Sequence, residues 1–224
     1  MSRRILHLIH TPRLSGAEIL VSTLCRVHAE LGVTSAVCSL YPASDSHFSL
    51  ERLLNPGDTR VYLPQRRLGR LQRLAHFAKT ISEFAPDIVF GHSALPSMYG
   101  RLALHVVKAS AKFVSVLHSV DDYKDPLLRL SELLLAPRAD LVFAVDELGA
   151  KNYAQRIRTH PPIVLVPNGV NVQEFQFSES ARTENRRALG LEEGQRILLQ
   201  LGRISPIKDQ LRTVQAAAPI LRAN

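Results

Sequence analysis

The chain has 224 residues, enough for one large domain or for one domain and part of a second. A hydrophobic content of 46% excludes a disordered protein, and the longest apolar runs are far too short to span a membrane. The formal charge of +8 points to an acidic partner, while the scarcity of aromatic residues (no Trp, Tyr 5, Phe 8) argues against a base-stacking nucleic-acid surface.

The opening MSRRILHLIH has neither a sustained apolar stretch nor a small-residue cleavage site, so a cytoplasmic location is expected. A strand is predicted at 5–9, then a helix at 16–31 and a strand at 34–40. Cys25 and Cys38 fall in that helix and that strand, with no metal-type spacing. They read as small buried hydrophobes in a reducing compartment. A strand at 60–63, a helix at 68–84, a strand at 87–90 and a helix at 95–108 follow. Next come a strand at 112–117, a helix at 126–136, a strand at 141–145, a helix at 147–157 and a strand at 163–166. The turn formers Pro167, Asn168 and Gly169 then break the rhythm. A short charged helix, 181–189, ends at Gly190, a suitable C-cap. A last strand is expected at 196–201 and a last helix at 209–222.

Nearly all-apolar strands alternating with helices predict an α/β chain with a Rossmann-like, doubly wound, mostly parallel sheet. The change of composition divides it into a first domain over 1–170, a linker over 171–195 and the opening strand and helix of a second domain over 196–224. In such sheets ligands sit beyond the carboxyl ends of the strands, so the chemistry is sought there.

After the first strand, "HTPRLSGAEILV" leads through Ser15 and Gly16 into a helix. A glycine there lets backbone N–H groups approach a ligand, and the helix N-terminus favours an anion. A plain strand–loop–helix turn explains the same residues equally well. After the fifth strand, "VSVLHSVDDY" sets His118 at the strand end, followed by Asp121 and Asp122. A histidine there can donate to a substrate hydroxyl or simply bond local backbone. His92, in "VFGHSALPSMYG", is a similar case. Near the end of the chain, "QLGRISPIKDQ" puts Arg203 and Lys208 around a glycine turn after a strand. A planar guanidinium and a mobile ammonium suit a diphosphate, although Asp209 offers either one a salt bridge.

Taken in order, SGAE, the strand-end histidine, "VLVPNGVNVQEF" and "LGRISPIKDQ" resemble retaining glycosyltransferases of family 4, the group 1 type with the GT-B fold. The stretch "ADLVFAVDE" adds to the likeness, with Asp146 standing where the family has a serine cap. The resemblance covers essentially the whole chain. It implies two Rossmann-like domains facing each other across a cleft, acceptor on the first and nucleotide-sugar on the second. Gly16 would then lie against the donor diphosphate, His118 would bond the donor sugar near the reaction centre, and Arg203 and Lys208 would neutralise the leaving diphosphate. Ser15, His92, Asp121, Asp122 and Asn168 would line the cleft. Preplaced cations would serve the leaving group, so no metal or other cofactor is implied. The family's E-x7-E motif lies further into the second domain than residue 224, which implies a chain with little or no transfer activity alone. A second reading is a non-catalytic binding or regulatory domain derived from such an enzyme. A third, a sugar-phosphate epimerase on the same fold, fits "PNGVN" less well.

The segment "RRLGRLQRLAHFAK" is expected to put Arg66, Arg70 and Arg73 on one helical face and Leu68, Leu71 and Ala75 on another. Leucines packed on the sheet beneath a solvated face is one reading; docking on anionic lipid, which lipid-linked acceptors of the family suggest, is the other.

Overall fold

The computed structural model describes residues 3–13, 15–43, 54, 57, 59–119, 123, 125–192, 194–202, 204–206 and 208–222. In chain order the elements are β1 (Arg4–Ile9), α1 (Gly16–Glu30), β2 (Thr34–Ser39), β3 (Thr59–Tyr62), α2 (Arg70–Phe84), β4 (Ile88–His92) and α3 (Ala94–Val107). These are followed by β5 (Lys112–Leu117), α4 (Pro126–Leu135), β6 (Leu141–Ala144), α5 (Glu147–Arg156), β7 (Ile163–Leu165), α6 (Glu179–Ala188) and α7 (Gln210–Arg222). The chain divides into two compact units, 1–169 and 170–224.

In the first unit seven strands form one wholly parallel sheet in the order β3-β2-β1-β4-β5-β6-β7. The seven strands expected before residue 167 all form, with ends shifted by two residues at most. Alternation along each strand sorts the side chains between two layers. Leu6 and Leu8 of β1 pack with Phe77, Ile81 and Phe84 of α2 and Ala103 of α3. Ile9 of the same strand packs with Val21 and Cys25 of α1 instead. Burial pushes the Cys25 thiol up to about 11 and the Cys38 thiol up to about 12, so both stay protonated and inert.

Helix starts follow local chemistry. Asp125 caps α4 by accepting from the N–H groups of Leu127 and Leu128, with Pro126 preset for the first turn. Asp146 caps α5, accepting from the Gly149 N–H at 2.7 Å, so it serves as the expected serine would. The α3, α4 and α5 helices are tied by a buried polar knot. Arg101 donates to both carboxylate oxygens of Glu132, at 3.0 Å for Nη1 to Oε1, and the Tyr153 hydroxyl donates to Oε1 at 2.6 Å. Both charged side chains are fully buried, which is sustainable only because each satisfies the other. Burial works against the Arg101 charge, but the hydrogen bonds and charge of Glu132 more than offset it.

Two expectations change. Residues 195–201 form no strand, because a ladder needs a neighbour and none of the described residues of 170–224 pairs with them. Leu198, Leu199 and Leu201 stay exposed as a result. The arginine-rich segment also differs. Its helix starts only at Arg70, Leu71 is 82% exposed, and Ala75 is exposed too, so these two do not pack on the sheet. The buried face is Phe77, Ala78, Thr80, Ile81 and Phe84. Arg73 leaves the arginine face and stacks over the Tyr41 ring, 4.4 Å from its centroid.

The closest packing lies where α3 meets β4 and β5. A Cβ on Gly91 would come within 2.6 Å of Ser97 Oγ, 2.7 Å of the Phe113 ring and 2.8 Å of the Ser97 Cα. The residue between β4 and α3, Ser93, is held at φ 72°, ψ 171°, a region that side chains other than glycine rarely enter. Its N–H donates to the Val116 carbonyl at 2.9 Å, which anchors the strained turn to β5. Gly91→Ala should therefore destabilise the fold by about 1–3 kcal/mol through overpacking. Urea denaturation checks this, and an unchanged midpoint would contradict the close approach.

Candidate functional site

The strand order reverses between β1 and β4, which pair in parallel with His7 opposite Phe90. Their connections run to opposite sides, leaving a crevice at the carboxyl ends, the place where doubly wound sheets hold ligands. Three expected site residues meet this edge. Gly16 begins α1 just after β1, His92 is the last residue of β4, and His118 immediately follows β5.

Gly16 is exposed, and a Cβ there would meet nothing within 4 Å. The glycine is thus not required by packing, and the space above it is open. Ser15 is the N-cap residue, but its hydroxyl donates to the carboxylate of Glu18 rather than accepting from backbone. Glu18 is buried beneath the helix start, a residue that S-x-x-E spacing could have flagged as a capping pair. Asn168 is exposed, beside Pro167 and Gly169 on the rim of a cavity of about 300 Å³. Among the other residues around that cavity are His7, His28, Phe90, His92 and Phe143.

The histidines are more closely connected than their separation in sequence suggests. His92 Nδ1 lies 2.8 Å from His118 Nε2, and His92 Nε2 lies 3.0 Å from His7 Nδ1. His7 stacks on His28 of α1, whose Nδ1 is 2.9 Å from Ser35 Oγ. His92 is almost wholly buried, so it supports His118 from behind rather than offering itself to the crevice. His7 and His28 carried no signal in the sequence, since a mid-strand histidine in an apolar run reads as a core residue. Among the described residues, no group of three His, Cys, Asp or Glu side chains is arranged to hold a metal ion. The three linked imidazoles form a row instead of converging.

Near the end of β1, His10 packs against Tyr41, and the guanidinium groups of Arg67 and Arg73 lie over the Tyr41 ring, 5.8 and 4.4 Å from its centroid. This places two cations beside the carboxyl ends of β1 and β2. In the second unit Asp209 pairs with Arg212 at 3.1 Å, and Lys208 forms no ion pair among the described residues. The Lys208 carbonyl accepts from Gln200 Nε2 at 2.8 Å, which ties the glycine turn together. Arg203, Asp121 and Asp122 lie outside the described residues.

Burial keeps the histidine row neutral. It lowers His118 to about 4 and, with the charge of His28, lowers His7 to about 3; His92 is held well below its ordinary value by burial and by its two neighbours. The unfolded chain protonates its histidines near the ordinary value of about 6.5. Between there and the folded values the unfolded state binds more protons, so stability is complete above about pH 6.5 and falls on acidification. For His7 alone the loss by about pH 5 is about 2 kcal/mol. Urea midpoints at about pH 7.5 and about pH 5 should differ in that direction, and His7→Phe should flatten the difference. Equal wild-type midpoints would contradict a neutral buried row.

Residues 14–174 match Glycosyltransferase Family 4. The chain is 28% identical over 229 aligned residues to the D-inositol 3-phosphate glycosyltransferase of Geodermatophilus obscurus, covering 92% of this chain and 50% of that protein. The enzyme of the same name from Thermobispora bispora is 26% identical, covering 91% and 52%. The chain thus spans about half the length of the curated relatives it matches. Among solved structures, Anabaena HepE in complex with UDP-glucose superposes with a TM-score of 0.79 at 20% identity, over 96% of this chain and 57% of that one. Sucrose-phosphate synthase from Thermosynechococcus elongatus superposes with a TM-score of 0.71 at 18% identity, over 97% and 60%. At such identities the superpositions bear on the fold, a Rossmann-like domain shared with GT-B glycosyltransferases. The match over well over half of the chain, on the sheet and crevice just described, settles its membership: the chain belongs to glycosyltransferase family 4.

Proposed function

We propose that this chain supplies the acceptor-side domain, and the start of the donor-side domain, of a glycosyltransferase that moves a sugar from a nucleotide-sugar to a saccharide or lipid-linked acceptor with retention. The single observation that carries the reading is the open helix start at Gly16, after β1, at the carboxyl-end edge where the strand order reverses and where His118 follows β5. A nucleoside diphosphate leaves with growing negative charge. The α1 N-terminus at Gly16, with Arg203 and Lys208, would neutralise that charge without a metal. His118, kept neutral by burial, would hydrogen-bond the donor sugar instead of repelling the oxocarbenium-like charge that develops on it. No protein nucleophile is assigned, which favours attack from the face that the leaving group vacates. Arg67 and Arg73 on Tyr41 suit an acceptor that carries an anionic group, as the inositol phosphate named for the curated relatives does.

The E-x7-E contacts to donor sugar and ribose that the family resemblance implies would come from outside these 224 residues. The chain by itself is therefore proposed to bind nucleotide weakly and to turn over nothing. A role in cell-surface polysaccharide or glycolipid synthesis fits this reading. The non-catalytic alternative predicts the same absence of turnover but gives Gly16 no role in nucleotide binding.

Gly16→Ala separates the two. Nothing in the fold crowds the added methyl group, so the melting temperature should be unchanged, while affinity for UDP should fall at least tenfold, about 1.4 kcal/mol. Ligand-observed NMR with UDP measures this. Unchanged UDP binding in the variant, or none by the wild type, would overturn the assignment of Gly16. Transfer from UDP-glucose by the purified chain would overturn the proposed inactivity.

We also propose peripheral attachment to an anionic membrane surface. No helix among the described residues is long and apolar enough to cross a membrane. Arg66 and Arg70 are exposed beside Leu71, and α4 exposes Leu127, Leu130 and Leu134 beside Arg129. Cations next to exposed leucines match an anionic interface. Sedimentation with phosphatidylglycerol vesicles should exceed that with phosphatidylcholine and should drop in the Arg66→Ser, Arg70→Ser double variant. Equal sedimentation with both lipids removes this surface.

A further inference from the structure

Away from the histidines, the first unit holds another cavity of about 300 Å³, lined by Tyr123, Pro126, Arg129, Leu130, Leu133 and Arg156. It lies where α4 meets the last residue of α5, and the Tyr123 ring packs on Tyr153 of α5 with centroids 5.5 Å apart. Two of its lining residues are arginines and none is acidic. Arg156 is half-buried, and its Nη1 is shut off from solvent with no hydrogen-bond partner among the described residues. Arg129 forms no ion pair among the described residues. The carboxylates nearest to Arg129 along the chain are already engaged. Glu132 holds Arg101 and the Tyr153 hydroxyl, and Asp125 caps α4. A charged donor kept from water without an acceptor is costly, so the cavity is built for an anion that comes from elsewhere. Arg101 shows the contrast, because the chain supplies its carboxylate.

The rim of the cavity selects among anions. Leu130 and Leu133 line it, and Leu127, Leu130 and Leu134 are each more than half exposed. Spacings of three and four residues set those three in one row along α4. A soluble anion gains nothing from such a row, whereas a lipid phosphate brings acyl chains that cover it. We propose that Arg129 and Arg156 form a seat for the phosphate group of an anionic lipid, with the exposed leucines of α4 resting at the acyl boundary. Two planar guanidinium forks match the non-bridging oxygens of a phosphodiester. The seat rests on the reading that the chain attaches to an anionic membrane surface, and it sharpens that reading. Diffuse attraction depends on charge alone; a seat depends on the shape of the cation and fixes which face of the first unit meets the bilayer.

Sedimentation of the 224-residue chain with phosphatidylglycerol vesicles in about 0.5 M NaCl, where attraction between exposed charges is largely screened, tests the seat. Arg129→Lys and Arg156→Lys keep the charge and lose the fork. Each should lower the bound fraction by about threefold or more. Arg66→Lys combined with Arg70→Lys should leave it unchanged. Phosphatidylglycerol binding that survives both single variants removes the seat and leaves the membrane reading standing. Equal sedimentation with phosphatidylglycerol and phosphatidylcholine removes both. Broadening of the phosphorus NMR line of inorganic phosphate by the wild type but not by Arg156→Lys, without any preference for phosphatidylglycerol, would assign the cavity to a soluble phosphate and overturn the lipid. Should Arg156→Lys fail to fold, Arg129→Lys, at an exposed position, decides alone.

Discussion

The parallel ladder between β1 and β4, with Ile5 opposite Ile88 and His7 opposite Phe90, is the contact on which the rest of the site depends. It joins two halves of the sheet that grow in opposite directions, β2 and β3 on one side and β5, β6 and β7 on the other. Because the strands are parallel, both carboxyl ends reach the same edge. The helix that follows β1 and the turn that follows β4 therefore border one crevice. Residues 76 positions apart, Gly16 and His92, become neighbours of a common space by this pairing alone.

Around that ladder the chain spends its least tolerant packing. Gly91 lets Ser97 and the Phe113 ring approach, and Gly100 on α3 lets Leu8 and Phe113 approach from the other side. The helix therefore sits low on the sheet, which forces the short turn at Ser93 into a backbone conformation that is strained for a serine. Strain of this kind persists where the surroundings over-determine it. Here a hydrogen bond to β5 and a closely packed helix do so, one residue from the buried histidine of the site.

The electrostatics follow from the same arrangement. A chain with a formal charge of +8 places neutral imidazoles in the crevice floor of its first unit and keeps the cations Arg67 and Arg73 beside the ends of β1 and β2. Burial separates the two roles: full desolvation strips His7 of charge, whereas Arg67 and Arg73 stack on the Tyr41 ring. Among the described residues, the fully buried cation Arg101 is matched by Glu132 and lies in the knot that ties α3 to α4. It belongs to the scaffold.

The amino-acid sequence alone determined the seven strands, the helices between them and the strand-end positions of Gly16, His92 and His118. Apolar period, turn residues and caps are local signals, and they act over a few residues. Asp146 was legible as a cap for the same reason. Residues 196–201 show the limit of such signals, because an apolar extended run becomes a strand only when another strand is there to receive its hydrogen bonds. The exposed Leu71 and the turned Arg73 show it again, since a helical face becomes buried only if something packs there. Tertiary structure alone decided that His7, His28, His92 and His118 share one face, and hence that they are neutral and linked. Desolvation and imidazole hydrogen bonds depend on neighbours drawn from four separate segments, and no spacing within one segment encodes them.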